Sequence, residues 1–224
     1  MQGIARQAMR LVRESIRAGQ SLVELRAECE RSMLELGADS FWYWGIGAFV
    51  FSGDDTVLSV SGRTYETPER VIAENDLVTI DLSPQRDGVW GDFARTIVVE
   101  NGRALDDPRS TSNAEWREGF LAERALHATL IEVAHPSMTF EELHGVMNER
   151  VVDLGFENLD FLGNLGHSIE RRSEDRVYIE RGNPARLDSV ELFTFEPHIR
   201  RPGGAFGYKR ENIYRFEGER LLEL

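Results

Sequence analysis

The stretch TIDLSPQRDGVWGDFART, residues 79–96, sets one aspartate into each of two otherwise apolar, strand-like runs. Asp81 lies near the end of DLVTIDL, and Asp92 lies within VWGDFARTIVVE. The alternation in both runs, with a polar Pro- and Gly-containing segment between them, reads as a β-hairpin. A hairpin centred on Arg86–Asp87 predicts that Asp81 and Asp92 stand opposite each other, with Cβ atoms about 5 Å apart. Like charges facing each other destabilise a sheet. The pair therefore demands a compensating cation.

The same arrangement recurs further along. DLVTID (76–81) and ELFTFE (191–196) share the order acid, Leu, x, Thr, x, acid. A second hairpin, centred on the turn dipeptide Gly203–Gly204, would pair Glu196 with Glu211. The helices repeat too. SLVELRAECERSMLELG opens on a capping box, Ser21 with Glu24, and ends at Gly37. TFEELHGVMNERVVDLG opens on Thr139 with Glu142 and ends at Gly155, the same sixteen residues from cap to glycine. Helical spacing also marks residues 4–17 and WREGFLAERALHATLIEVA. Generic alternation of helices and strands does not explain acids matched at equivalent strand positions. The chain reads as a duplicated α+β unit.

Bulk properties narrow the function. A length of 224 residues with 41% apolar content suits one large domain or two halves sharing a core. The net charge of −13 argues against nucleic acid as a partner. Cys29 is the only cysteine, so neither a disulfide framework nor a cysteine metal site is available within one chain, and a small buried residue is expected there. Lys209 is the only lysine and reads as compositional bias. The first residues lack the apolar core of a signal peptide, and no run approaches the roughly 20 apolar residues needed to span a bilayer. The expectation is a soluble, cytoplasmic protein with no membrane partner.

Four carboxylates in two opposed pairs leave two ways to balance charge. Arg95, Arg200 and Arg210 form a structural network, or divalent metals bind. Carboxylates with imidazole suit Mn, Fe, Co or Zn, and His167, in NLGHSIE beside Gly166, offers the imidazole.

In order and context, Asp81, Asp92, His167, Glu196 and Glu211 resemble the ligand set of the pita-bread metallopeptidases. These include methionine aminopeptidases, Xaa-Pro aminopeptidases and dipeptidases, and creatinase. VTIDLSPQRDGVWGDFART resembles the family's strand pair, GHSIE its glycine-histidine motif, FTFEP its Glu-Pro motif, and YKRENIYRFEGERLLEL its C-terminal strand. The resemblance spans essentially the whole chain. It implies the pita-bread fold, two pseudo-symmetric α-β halves around a curved antiparallel sheet, as a single domain over 1–224 with no separate N-terminal domain. It also implies two divalent metal ions, with Asp92 and Glu211 bridging them, Asp81 on one, and His167 with Glu196 on the other. A water activated between the ions would be the nucleophile, and Glu196 would carry protons. The implied activity is hydrolysis of a small peptide, of Xaa-Pro or aminopeptidase type, or of an amide-like molecule, by a monomer or homodimer.

Two departures stand out. Family peptidases carry a histidine before the first aspartate, where this chain has Val60 or Ser61, and another seven residues after the ligand histidine, where it has Glu174. Their loss keeps open a non-peptidase metalloenzyme, such as a lyase, and, less favoured, a non-catalytic binding module. His198, two residues after Glu196, is a further catalytic candidate. His127, His135 and His144 read as structural or surface residues. FWYWGIGAF (41–49), with Trp44 and Phe49, is a substrate wall or else core packing. Arg171, Arg172 and Arg210 are candidates for binding a substrate carboxylate, or else surface ion pairs; Glu174 would border the same site.

Overall fold

A computed structural model describes residues 1–224. The first half comprises α1 (Gln2–Ser15), α2 (Leu22–Glu35), β1 (Ser40–Phe41), β2 (Ala48–Ser52), β3 (Asp76–Leu82), β4 (Pro84–Arg86), β5 (Val89–Trp90), β6 (Phe93–Glu100) and β7 (Arg103–Ala104). The second comprises α3 (Ala114–Val133), α4 (Phe140–Asp153), β8 (Glu157–Asn158), β9 (Phe193–Phe195), β10 (His198–Arg200), β11 (Tyr208–Lys209), β12 (Asn212–Glu217) and β13 (Arg220–Glu223).

Local chemistry sets the helix ends. Both capping boxes form: the Ser21 and Thr139 side chains accept from the backbone of Glu24 and Glu142, whose carboxylates reach back to the cap residues. Each satisfies two of the backbone donors that a helix start leaves unpaired. Glycines with positive φ follow both helices, Gly37 at 108° and Gly155 at 81°, as a left-handed C-terminal stop requires.

The halves match element for element. β2-β3-β6-β7 form a four-stranded antiparallel sheet, and β9-β12-β13 form a three-stranded one. Where β2 pairs with β3, the second half has a single bridge, Ser168 to Phe193. Each half adds a small sheet, β1-β4-β5 and β8-β10-β11. The duplication read from the acids is therefore a duplication of topology.

Register departs from expectation in one half and agrees in the other. β9 and β12 pair Phe195 with Asn212, and β10 and β11 pair His198 with Lys209. Glu196 and Glu211 fall between these pairs on the same register. In the first half, Gln85 pairs with Trp90 and Asp81 with Ala94, not with Asp92. The turn is centred on Asp87–Gly88, where both φ angles are positive (52° and 74°). That is what a two-residue hairpin turn demands, and Asp-Gly supplies it. The correction is a two-residue shift, so both aspartates keep the same face.

Alternation also separates core from site. Val78, Ile80 and Leu82 of β3 pack with Val12, Leu25 and Met33 of α1 and α2. On the opposite face, Leu77 joins a second cluster built on Phe120, Phe140 and Phe193. Between Leu77 and Asp81 on that face, Thr79 hydrogen-bonds Thr96 at 3.0 Å. The halves meet along this face: Glu211 N–H donates to the Ala94 carbonyl at 3.0 Å, and Lys209 N–H to Thr96 Oγ1 at 2.9 Å. Cys29 is fully buried on α2. No helix is long and apolar enough to cross a membrane.

Candidate metal centre

Asp81 comes from β3, Asp92 from the entry to β6, Glu196 from the exit of β9, and Glu211 from the link between β11 and β12. His167 enters from the loop that bridges to β9. Gly166 makes this approach possible. Its φ is +141°, and a Cβ there would lie 2.3 Å from the Thr194 carbonyl oxygen. The His167 N–H then donates to Thr194 Oγ1 at 3.1 Å.

The tautomer of His167 follows from its partner. Nδ1 lies 3.0 Å from the Ser168 carbonyl, which can only accept, so Nδ1 carries the hydrogen. Nε2 is left with its lone pair facing Asp92 at 3.6 Å and Glu196 at 3.7 Å. Burial pushes this imidazole down to about 4, which keeps it neutral. The rings of Trp42, Trp90 and Tyr178 surround it, with centroids 5.7–5.9 Å away.

Ligand atoms of Asp92, His167 and Glu211 lie within 4.8 Å of one another, and so do those of Asp81, Glu196 and Glu211. Glu211 is fully buried, and neither of its oxygens receives a hydrogen bond. Burial, then Asp92, holds its carboxyl well above the usual range. Asp92 is raised likewise by burial and then by Asp81. Buried carboxyls without donors are unfavourable unless neutralised, and a cation would satisfy both. The donor set fits a divalent metal.

One protein cation is already among these acids. Lys209 Nζ lies 2.6 Å from Asp81 Oδ2 and 3.0 Å from Glu196 Oε2. Burial works against its charge, but Asp81 and Glu196 override that and hold the ammonium protonated. For Glu196, burial acts upward, and the bonded Lys209 ammonium brings the net shift below the ordinary value. The arginines expected to balance the acids lie elsewhere: Arg200 pairs with Glu157, and Arg95 hydrogen-bonds the Glu211 carbonyl and Asn212.

The cavity over the acids is walled by Trp42, Tyr43, Phe49, Val60, Arg176 and Tyr178. Phe49 and Val60 are thus at the site. Trp44 is 55% exposed and lies against Arg63, outside this cavity. Glu174 is exposed and pairs with Arg172, and Arg171 is exposed as well. Neither lines the cavity; two and four residues past Glu174, Arg176 and Tyr178 take that wall. Arg210 faces away, into a groove with Arg95 and Glu123. Its neighbours Lys209 and Glu211 face the acids, so strand alternation sends it to the other side. His198 is buried, its Nε2 donating to the Thr56 carbonyl at 2.7 Å, and it borders a smaller side cavity with Phe51, Asp81 and Lys209.

Sequence reading passed over Lys209, Arg176 and Tyr178. For Lys209 a signal existed, a single lysine among 26 basic residues. For Arg176 and Tyr178 none did, because the loop length between His167 and the wall decides which residues arrive there.

The profile of metallopeptidase family M24 matches residues 1–217. The chain belongs to metallopeptidase family M24. Among relatives in this family, an Xaa-Pro dipeptidase of Lactobacillus delbrueckii subsp. lactis is 29% identical over 67% of this chain and 39% of its own length. An Xaa-Pro dipeptidase of Pyrococcus furiosus is 28% identical over 88% of this chain and 51% of its own length. A methionine aminopeptidase of Helicobacter pylori is 24% identical over 86% of this chain and 74% of its own length. The chain thus spans about two-fifths to one-half of these dipeptidases. In fold, the prolidase of Pyrococcus furiosus superposes with a TM-score of 0.80 at 23% identity, covering 99% of this chain and 60% of that one. The X-Pro aminopeptidase of Thermotoga maritima gives 0.79 at 22% identity, covering 99% and 57%. This M24 chain has the pita-bread fold that the resemblance implied.

Proposed function

We propose that the chain is a metal-dependent hydrolase of small peptides or amide-like molecules that carry a free carboxylate. The observation that carries this reading is the Asp92–His167–Glu211 cluster. There a neutral imidazole presents a lone pair beside a buried carboxylate with no donors. Its oxygen and nitrogen donors suit Mn, Fe, Co or Zn. A divalent ion bound there supplies polarisation of a carbonyl and acidification of a water.

The remaining steps belong to the chain. Glu196 is ionised, with Oε2 bonded to Lys209 and Oε1 directed toward His167. It is placed to take a proton at Oε1 and to return it to a leaving amine. Trp42, Tyr43 and Phe49 form an apolar wall that shields the reacting bond from bulk water. Arg176 stands over the rings of Trp42, Tyr178 and Tyr43, with its guanidinium carbon 4.8, 5.4 and 5.6 Å from their centroids. Its Nε donates to the Ser173 carbonyl at 2.6 Å, it lines the cavity over the acids, and no carboxylate forms a salt bridge with its guanidinium. A substrate carboxylate fits that fork.

Metal-loaded protein offered Xaa-Pro dipeptides, Met-Xaa peptides and non-peptide amides should cleave carboxylate-bearing members. Arg176→Ala should raise KM by about ten- to a hundredfold with little change in kcat, the loss of a charge-assisted hydrogen bond of about 1.5–3 kcal/mol. If every peptide and amide is left intact, the hydrolase reading fails. One observation then favours a non-peptidase metalloenzyme: apart from His167, no imidazole lines the cavity over the acids, since Val60 and Tyr178 take that wall and His198 is engaged by Thr56.

A further inference from the structure

The acids of the site divide into two sets that share Glu211, and the sets differ in what already sits among them. In the set of Asp81, Glu196 and Glu211, the Lys209 ammonium lies 2.6 Å from Asp81 and 3.0 Å from Glu196. In the set of Asp92, His167 and Glu211 no ammonium or guanidinium is bonded. The latter set has the free Nε2 lone pair and the two Glu211 oxygens that no donor reaches.

We infer that Lys209 takes one of the two cation positions of this fold, so that the chain holds a single divalent ion on Asp92, His167 and Glu211. This rests on reading the cluster as a metal centre, and it changes the expected count from two ions to one.

Three features of the site carry it. The first is competition for the same oxygens. A transition metal would approach Asp81 and Glu196 to about 2.0–2.2 Å, and one oxygen of each, Asp81 Oδ2 and Glu196 Oε2, is already bonded to the ammonium.

The second is anchoring. Lys209 N–H donates to Thr96 Oγ1 at 2.9 Å, and the residue pairs with His198 across β10 and β11. Strand alternation then commits its side chain to the same face as Glu211. The Lys209 side chain is only 17% exposed, so the cavity is where its stem is held.

The third is chemical type. Every other cation on this chain is an arginine. A guanidinium is a wide planar fork, whereas an ammonium is a compact charge with three donors. Of the two, only the ammonium approximates the size and directionality of an ion between two carboxylates. The single lysine stands where that difference matters.

Mn2+ is the probe. Protein freed of metal and titrated by calorimetry should bind one tight equivalent per chain, and its electron paramagnetic resonance spectrum should be the six-line pattern of an isolated ion. Asp81→Asn should keep that equivalent, and Asp92→Asn should lose it. Lys209→Met should bind two equivalents and show the broadened signal of a coupled pair; Lys209→Gln replaces it if circular dichroism shows that the Met variant is unfolded. Two tight equivalents in the wild type, or loss of the ion in Asp81→Asn, would overturn the assignment of Lys209 while leaving the metal-centre reading intact. No binding in the wild type and the lysine variants alike would overturn both.

Discussion

Lys209 and Arg210 are neighbours in the chain, yet they face opposite sides of the sheet and meet different chemistry. Behind Arg210 lies a polar network away from the acids. His127 places Nε2 at 3.1 Å from the Arg210 carbonyl and Nδ1 at 2.6 Å from the Tyr214 hydroxyl. The carbonyl can only accept, so Nε2 carries the hydrogen and Nδ1 accepts from Tyr214. Burial, then Arg210, holds His127 well below its ordinary value, and burial pushes Glu123 up to about 7. The two groups act with opposite sign. Below about pH 6.5 the unfolded chain protonates His127 while the folded chain does not, so its contribution falls as pH falls. Glu123 is protonated only in the folded chain from about pH 4.5 to 7, so its contribution falls as pH rises. In metal-free urea unfolding, the stability gap between wild type and His127→Gln should narrow as pH drops from 6.5, by up to about 1.4 kcal/mol per unit. The gap for Glu123→Gln should narrow as pH climbs from 4.5 to 7. Parallel slopes would show that these groups are not buried in their neutral forms.

At the scale of elements, the two halves use the same devices. α2 and α4 start on matching capping boxes, so Ser21→Ala and Thr139→Ala should each lower stability by about 1 kcal/mol in thermal or urea unfolding. The loop carrying His167 depends on Gly166. Alanine there adds left-handed strain to a 2.3 Å approach to the Thr194 carbonyl. The expected cost is about 3 kcal/mol or more. Because the same displacement moves His167 away from β9, Gly166→Ala should also weaken Mn2+ binding. A variant with wild-type stability and affinity would show that the loop does not need this approach. The hairpins show how far local signals reach. Asp87–Gly88 was a turn signal already present in the sequence, and its positive φ values set the true register. Centring the turn one residue too early shifts the pairing by two residues without changing faces, so the acids stayed together despite the wrong partner.

For the whole molecule, the site is the seam between the halves. Asp81 and Asp92 come from one, His167, Glu196 and Glu211 from the other, and the bonds from the Glu211 N–H to the Ala94 carbonyl and from the Lys209 N–H to the Thr96 hydroxyl hold the seam closed. An ion bound across it binds only the folded arrangement. At a hundred times its dissociation constant, Mn2+ should add about 2.7 kcal/mol, which for a chain of this size raises Tm by roughly 5–10 °C. Chelation should reverse the rise. A melting temperature indifferent to Mn2+ and to chelator would separate the acids from any role in holding metal.

The sequence by itself determined the helices, the duplicated order of elements and the five residues that converge. The first two rest on short-range rules, helical and strand periodicity, capping, and acids matched at equivalent strand positions; the five residues were gathered by their resemblance to the family's ligand set. Only the tertiary structure decided that Lys209 enters the acid cluster, that Arg210 leaves it, and that Arg176 and Tyr178 wall the cavity where Glu174 was expected. Those outcomes depend on which face a strand residue presents and how a loop packs against segments more than a hundred residues away. A lysine that looked like a quirk of composition becomes a cation at the centre of the site only when Asp81, 128 residues earlier, is folded against it.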